Sequence, residues 1–312
     1  MTRVALAACT LASVAAFDTG QQAQFRTSVE RVRLEVRVIG ASGPIAGLEA
    51  DDFVVHDNGV AQSIEVTEAG DAPLDLVLVA QPIESVAYVS PGHASLVSAG
   101  LSAFLAQVTD ADRLAALLAG SPPSRLRKLE YGRPTFDARA FAGGVYAAPF
   151  DAIVGALDQF DRSDRAQALV VFTNAADFRS TTRFEDVAVL TRRRGPAFVI
   201  VGTPVRIRET ARVKAAIGSG SVIRDSGLVA EAAVSGDVFP ATLRLLADRT
   251  GGITVNLADG EPGQVIAGMF AWLRTRYTIT YEPPAAKGWH SVKITVSRKD
   301  ATVRAREGYF VD

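Results

Sequence analysis

Three short apolar runs separated by helical patterns constrain this chain more than any other feature. Leu76-Val77-Leu78-Val79 and Leu169-Val170-Val171-Phe172 are continuously apolar, as strands covered on both faces are. Ala197-Phe198-Val199-Ile200-Val201 reads the same way. Between them the period changes to that of a helix. Leu96, Leu101, Phe104, Leu105 and Val108 form one apolar stripe over 95–108, and Phe150, Ile153, Val154 and Leu157 form another. Further helices are predicted at 184–194, 240–249 and 262–276, with further strands at 113–118 and 253–257. Strands alternating with helices predict an α/β fold with a doubly wound, mostly parallel, Rossmann-like sheet.

The two ends read differently. Val32, Leu34, Val36 and Val38 alternate with Arg31, Arg33, Glu35 and Arg37, the pattern of a half-buried strand. Phe53-Val54-Val55-His56 and Ile64-Glu65-Val66 flank Asp57-Asn58-Gly59, a tight-turn signal. The tail carries strand patterns at 277–281, 292–296, 302–306 and 309–311. Neither end has enough strands for an independent sheet. Both ends are therefore expected to pair into one β-sandwich-like domain, with the α/β domain inserted between them. The expected boundaries are 1–24 for a signal peptide and polar leader, and 25–70 for the first part of the β domain. The α/β domain takes 71–276, with an elaborated loop at 206–237, and 277–312 completes the β domain.

The leader reading rests on Arg3, an apolar stretch over 4–16 and the small-x-small run Val14-Ala15-Ala16. It implies export to the periplasm, cell envelope or medium. No later stretch has the roughly 18 apolar residues of a transmembrane helix. The single cysteine, Cys9, lies in the leader. Leu6-Ala7-Ala8-Cys9 has the form of a lipid-anchor box, but few apolar residues precede it, which favours a cysteine discarded with the signal. The net charge of -1 argues against nucleic acid as a partner.

Several runs together resemble the bacterial von Willebrand factor A-related proteins, of the type first noted in acidobacteria. They are Phe25-Arg26, Gly47-Leu48-Glu49-Ala50-Asp51-Asp52-Phe53, Asp57-Asn58-Gly59, the strand pattern from Asp75 to Val79, and Asp110-Ala111-Asp112-Arg113. Phe150-Asp151-Ala152, Leu169-Val170-Val171-Phe172-Thr173 and Leu245-Leu246-Ala247-Asp248-Arg249-Thr250-Gly251-Gly252 follow. Val303-Arg304-Ala305-Arg306-Glu307-Gly308-Tyr309-Phe310 completes the set. The resemblance implies ligand binding at the carboxyl ends of the strands, in many such domains through a metal-ion-dependent adhesion site. That site uses Asp-x-Ser-x-Ser, a Thr and a later Asp. The implied positions fall here on Gln81, Ile83, Ser85, Ala147 and Asn174. Both carboxylates and two hydroxyls are lost, so the site reads as degenerate and no cofactor is expected.

The expected function is therefore a non-enzymatic module that binds or scaffolds a protein partner without an ion. Its recognition loops would lie at 81–90, 143–149 and 174–181, with Gln81, Glu84, Ser85, Ala147, Asn174 and Asp177 on the binding face. An alternative is a Mg- or Mn-dependent adhesion module whose carboxylates come from Glu84 and Asp177; these residues also fit solvated loop positions or helix caps. A third reading is a cryptic hydrolase built from Ser85, His93 and Asp75, but no nucleophile-elbow motif supports it. His56, His93 and His290 lack metal-ligand spacing and are expected on the surface or in loops. Arg192-Arg193-Arg194 reads as a solvated helix end rather than an anion site.

Overall fold

The computed structural model describes residues 31–70, 72–89, 91–161, 163–174, 176–203 and 241–311. The leader at 1–24, Cys9, Phe25-Arg26 and the segment at 206–237 lie outside the described residues.

The first strands are β1 (Val32–Gly40), β2 (Gly43–Pro44), β3 (Phe53–Asp57), β4 (Val60–Ala61) and β5 (Glu65–Ala69). Then come β6 (Leu74–Ala80), α1 (Ile83–Val89), α2 (Ala94–Gln107), β7 (Arg113–Leu118), β8 (Ser124–Tyr131), α3 (Pro149–Leu157), β9 (Ala166–Phe172), α4 (Phe184–Arg194) and β10 (Ala197–Gly202). The chain ends with α5 (Ala241–Arg249), β11 (Ile253–Asn256), α6 (Pro262–Arg274), β12 (Arg276–Tyr281), β13 (Gly288–Val296), β14 (Thr302–Arg304) and β15 (Gly308–Val311).

The apolar runs form the middle of a six-stranded sheet in the order β11-β10-β9-β6-β7-β8. All its pairings are parallel except that of β7 with the edge strand β8. Period two sends alternate residues to opposite faces. Leu76 and Leu78 pack with Leu101, Phe104, Phe270 and Leu273 from α2 and α6. Val77 and Val79 pack with Phe150, Ile153 and Leu157 of α3, Val187 of α4 and Leu246 of α5. Each fully buried Leu or Phe contributes about 1.5–3 kcal/mol of transfer free energy, which holds helices on both faces. After β6 the chain moves to β7 on one side, and later returns to β9 on the other. The switch point thus lies between the carboxyl ends of β6 and β9.

Strands from the two chain ends pair directly. β1 and β5 both flank β12, and β14 adds to the far side of β1. β3 pairs with β13, which pairs with β15. Leu34, Val36, Phe53, Val55, Ile279, Tyr281 and Tyr309 share one hydrophobic cluster drawn from both sheets.

Several expectations change. The stretch at 81–90 is not an open loop: α1 starts at Ile83, with the N–H groups of Ser85 and Val86 turned onto the Pro82 carbonyl. Proline is tolerated in a first turn because its missing N–H has no helical partner there. β8 has no counterpart in the sequence reading. The last helix stops at Arg274, and Arg276 begins β12. The charged face of β1 is not in water throughout, since Arg37 is 2% exposed. Its guanidinium donates to the carbonyls of Trp272 (3.2 Å) and Leu273 (3.4 Å), at the carboxyl end of α6 where carbonyls lack helical partners. His290, expected on the surface or in a loop, lies in β13 and is fully buried. Its Nδ1 lies 2.8 Å from Asp57 Oδ1 and its Nε2 lies 2.7 Å from the Ala286 carbonyl. Arg192 stacks on Trp289 at 4.1 Å and Arg193 on Phe310 at 5.2 Å, so this helix end packs on the terminal strands.

Candidate functional site at the carboxyl edge of the sheet

Gln81 follows the last residue of β6, and Thr173 and Asn174 follow β9. Parallel pairing brings these strand ends level, because Ala80 is opposite Phe172. Gln81 occupies the switch point and is 1% exposed. Its Nε2 donates to the Ala176 carbonyl at 2.5 Å. Its Oε1 accepts from Thr173 Oγ1 at 2.8 Å and from the Asn174 N–H at 2.7 Å. One side-chain amide therefore ties the first loop to the third.

The other loops are bound in the same manner. The Ala147 carbonyl accepts the N–H groups of Phe178 and Arg179, both at 3.0 Å. Glu84 Oε2 accepts the Gly143 N–H at 2.6 Å. Asp177 Oδ1 accepts from the N–H groups of Arg179 (3.2 Å) and Ser180 (2.9 Å), closing a turn. Asp151, in the first turn of α3, accepts the N–H groups of Thr181 (3.0 Å) and Thr182 (2.7 Å). Burial acts to raise the Asp151 carboxyl, but the bonds from Thr182 and Thr181 outweigh it and hold it below the usual range.

Of the six residues expected on a binding face, Gln81, Ser85, Ala147, Asn174 and Asp177 are all at most 2% exposed, and Glu84 alone reaches solvent. These five side chains lie beneath the surface rather than on it, and of them Gln81 is bonded to Asn174. Inside the expected loops at 143–149 and 174–181, but not singled out in the sequence, are Tyr146, which is 41% exposed, and Arg179, whose guanidinium lies 4.8 Å from the Tyr146 ring centre. An exposed aromatic next to Ala147 was the available signal.

The set does not fit a hard dication. Mg2+ takes about six oxygen ligands in near-ideal octahedral geometry. Both acceptor directions of Gln81 Oε1 are already used, and Asn174 Oδ1 accepts the Ala176 N–H at 3.1 Å. Ala147 has no side-chain oxygen. Ser85 Oγ and Asn174 Nδ2 are buried without hydrogen-bond partners, and the second of these is a donor. Among the described residues, no three His, Cys, Asp or Glu side chains are grouped to hold a metal. Nor does a nucleophile form: Ser85 Oγ and His93 Nδ1 are each without a partner, and Asp75 is bonded to Arg113 and Arg165 at the other end of the sheet.

No protein-family model matches the sequence. No curated protein matches it either. Among solved structures, the chain is similar to an aerotolerance-related membrane protein from Bacteroides fragilis, at 15% identity and a TM-score of 0.42, covering 64% of this chain and 98% of that one. A von Willebrand factor type A protein from Catenulispora acidiphila gives 12% identity and a TM-score of 0.42, covering 84% of this chain and 74% of that one. BatB from Bacteroides thetaiotaomicron gives 12% identity and a TM-score of 0.40, covering 64% and 100%.

Proposed function

We propose that this chain is an exported, non-enzymatic module that binds or scaffolds a protein partner through the carboxyl edge of a von Willebrand A-like domain, without a metal ion. The single observation that carries this reading is the Gln81 amide. It bridges Thr173, Asn174 and Ala176 at the switch point, where the resemblance would place an ion. A bridged edge is already rigid, so it has no need of an ion to order it. Glu84, Tyr146 and Arg179 are exposed on this edge and combine an aromatic surface with charge of both signs. Tyr and Arg are the residue types that dominate interface energetics. Export rests on the leader at 1–24. Among the described residues no helix is long and apolar enough to cross a membrane. In this proposal the β-sandwich-like part is built from 25–70 and 277–312, and it carries the inserted domain at 71–276.

Thermal unfolding with millimolar Mg2+ or Mn2+ against chelator tests the metal-free reading. A site filled at 100 times its dissociation constant adds roughly 2.7 kcal/mol. No shift is expected, and a metal-dependent rise that Asp177→Asn removes would overturn the proposal. Partner capture in chelator, comparing wild type with Tyr146→Ala and Glu84→Lys, tests the surface.

A further inference from the structure

At the opposite end of the sheet, the charged face of β1 closes over the amino ends of β9 and β10. It walls a cavity of about 210 Å³, open to solvent on one side and lined by Arg33, Glu35, Arg37, Arg165, Arg194 and Arg306, among others. We propose that this cavity binds a small oxyanion of the phosphate class.

Charge around the cavity is unbalanced. Arg165 is matched by Asp75 at 2.6 Å, and Arg194 by Asp158 at 2.9 Å. The rest are not matched one to one. Glu35 accepts Arg33 through Oε1 at 3.1 Å and lies 2.8 Å from Arg276 through Oε2. Among the described residues, Arg37 donates to the carbonyls of Trp272 and Leu273 and stacks on the Trp272 ring. Arg306 has no ion pair among the described residues, and its buried Nε has no hydrogen-bond partner. Arg33 also lies 4.0 Å from the exposed Asp164, so the buried Arg37 and Arg276 and the partly buried Arg306 are left with one nearby carboxylate, Glu35, among the described residues. Burial, partly offset by Glu35 and reinforced by Arg276, lowers Arg37 to about 10. Burial also lowers Arg276 and Arg306. Arginine stays charged at neutral pH, and uncompensated buried charge is strongly unfavourable.

Geometry points the same way. Arg306 cannot easily swing out to water. Its backbone bridges to Thr250, and the next N–H, of Glu307, donates to the Arg249 carbonyl at 3.0 Å. Its guanidinium is held against the Tyr309 ring on one side. On the other it sits where Gly195 leaves room, since a Cβ there would lie 2.6 Å from Nη1. A fixed guanidinium fork with an unused buried donor suits a tetrahedral oxyanion, which accepts several charge-assisted hydrogen bonds at once. The volume admits the ion or a small ester of it.

Calorimetric titration of the full chain with inorganic phosphate, at constant ionic strength set by chloride, tests this. Saturable millimolar or tighter binding is expected, and Arg306→Met should weaken it by about tenfold or more. Exposed Arg125 on β8 supplies the control, and Arg125→Met should leave binding unchanged. If Arg306→Met does not fold, Arg33→Gln at the cavity mouth carries the same expectation. A parallel titration with glycerol phosphate separates the sources: tighter binding identifies a phosphate ester, and equal or weaker binding identifies the free ion. Absence of saturable binding by both, or equal binding by wild type and the cavity variants, would overturn the proposal.

Discussion

The side-chain oxygen of Gln81 accepts the backbone N–H of Asn174 at 2.7 Å, joining the ends of two adjacent parallel strands. Removing the side chain in Gln81→Ala takes the acceptor from Asn174 and the donor from the Ala176 carbonyl in a buried place. An orphaned buried polar group costs about 1–3 kcal/mol. Urea unfolding of Gln81→Ala is expected to show a loss of about 3 kcal/mol with an unchanged slope. A loss below about 0.5 kcal/mol would show that the bridge is dispensable.

Asp112 anchors the opposite end of the sheet. It accepts the N–H groups of Leu74 and Thr109, both at 2.9 Å, and Arg274 Nη2 at 2.7 Å. Burial acts to raise its carboxyl, but the bonds from Arg274, Thr109 and Leu74 outweigh that, and its pKa is depressed. A depressed folded value means the stabilisation is present above the unfolded value of about 3.9 and is lost as pH falls through the folded value. Asp112→Asn is expected to cost about 3 kcal/mol at neutral pH, discounted for the partly exposed Arg274 head. The acid limb of its stability profile should be flatter than that of wild type.

The parts of the fold legible in the sequence are those that burial dictates locally. Leu76 to Val79 cannot face water on either side, so strand, layer and approximate bounds follow. β8 is different. Ser124–Tyr131 is an edge strand with no fully buried residue, and pairing with β7 is what makes it a strand. The site divides in the same way. Counting from the end of β6 places Gln81 at the switch point, but its bond to Ala176 spans 95 residues and has no local signal. The charged face of β1 reads as solvent-exposed because period two cannot say what covers the second face.

His290 and Asp57 are separated by 233 residues and meet in the β region. Both His290 ring nitrogens face acceptors, Asp57 Oδ1 and the Ala286 carbonyl, so only the doubly protonated ring satisfies both. The Tyr309 ring stacks on His290 at 5.0 Å, and Tyr281 and Tyr309 both donate to Asp57 Oδ2. Burial pulls the His290 pKa down, but the bonds to Ala286 and Asp57 win and it is raised. A raised folded value gives stabilisation that is full below the unfolded value of about 6.5 and is lost as pH rises through the folded value. Wild type is expected to lose stability on moving up through that window. His290→Gln should be less stable at pH 6 and nearly flat across it.

Gly252 is the position where a single methyl group does most harm. It precedes β11, and a Cβ there would lie 1.7 Å from the Phe198 carbonyl oxygen and 2.6 Å from its carbon, both backbone atoms of β10. No rotamer change relieves that overlap, so β10 and β11 would have to part. Gly251 beside it has a φ of 71°, and a Cβ there would meet the Ala305 backbone at 2.5 Å. The Gly-Gly pair thus lets the end of α5, the parallel sheet and the terminal strands approach one another. Gly252→Ala is expected to lose more than about 4 kcal/mol, read as loss of the cooperative thermal transition. Gly268, exposed within α6 with open space where its Cβ would be, is the matching control. Helix propensity alone should make Gly268→Ala more stable by about 0.5–1 kcal/mol. A folded Gly252→Ala protein of wild-type stability would mean that β10 and β11 do not pack as closely as this backbone requires.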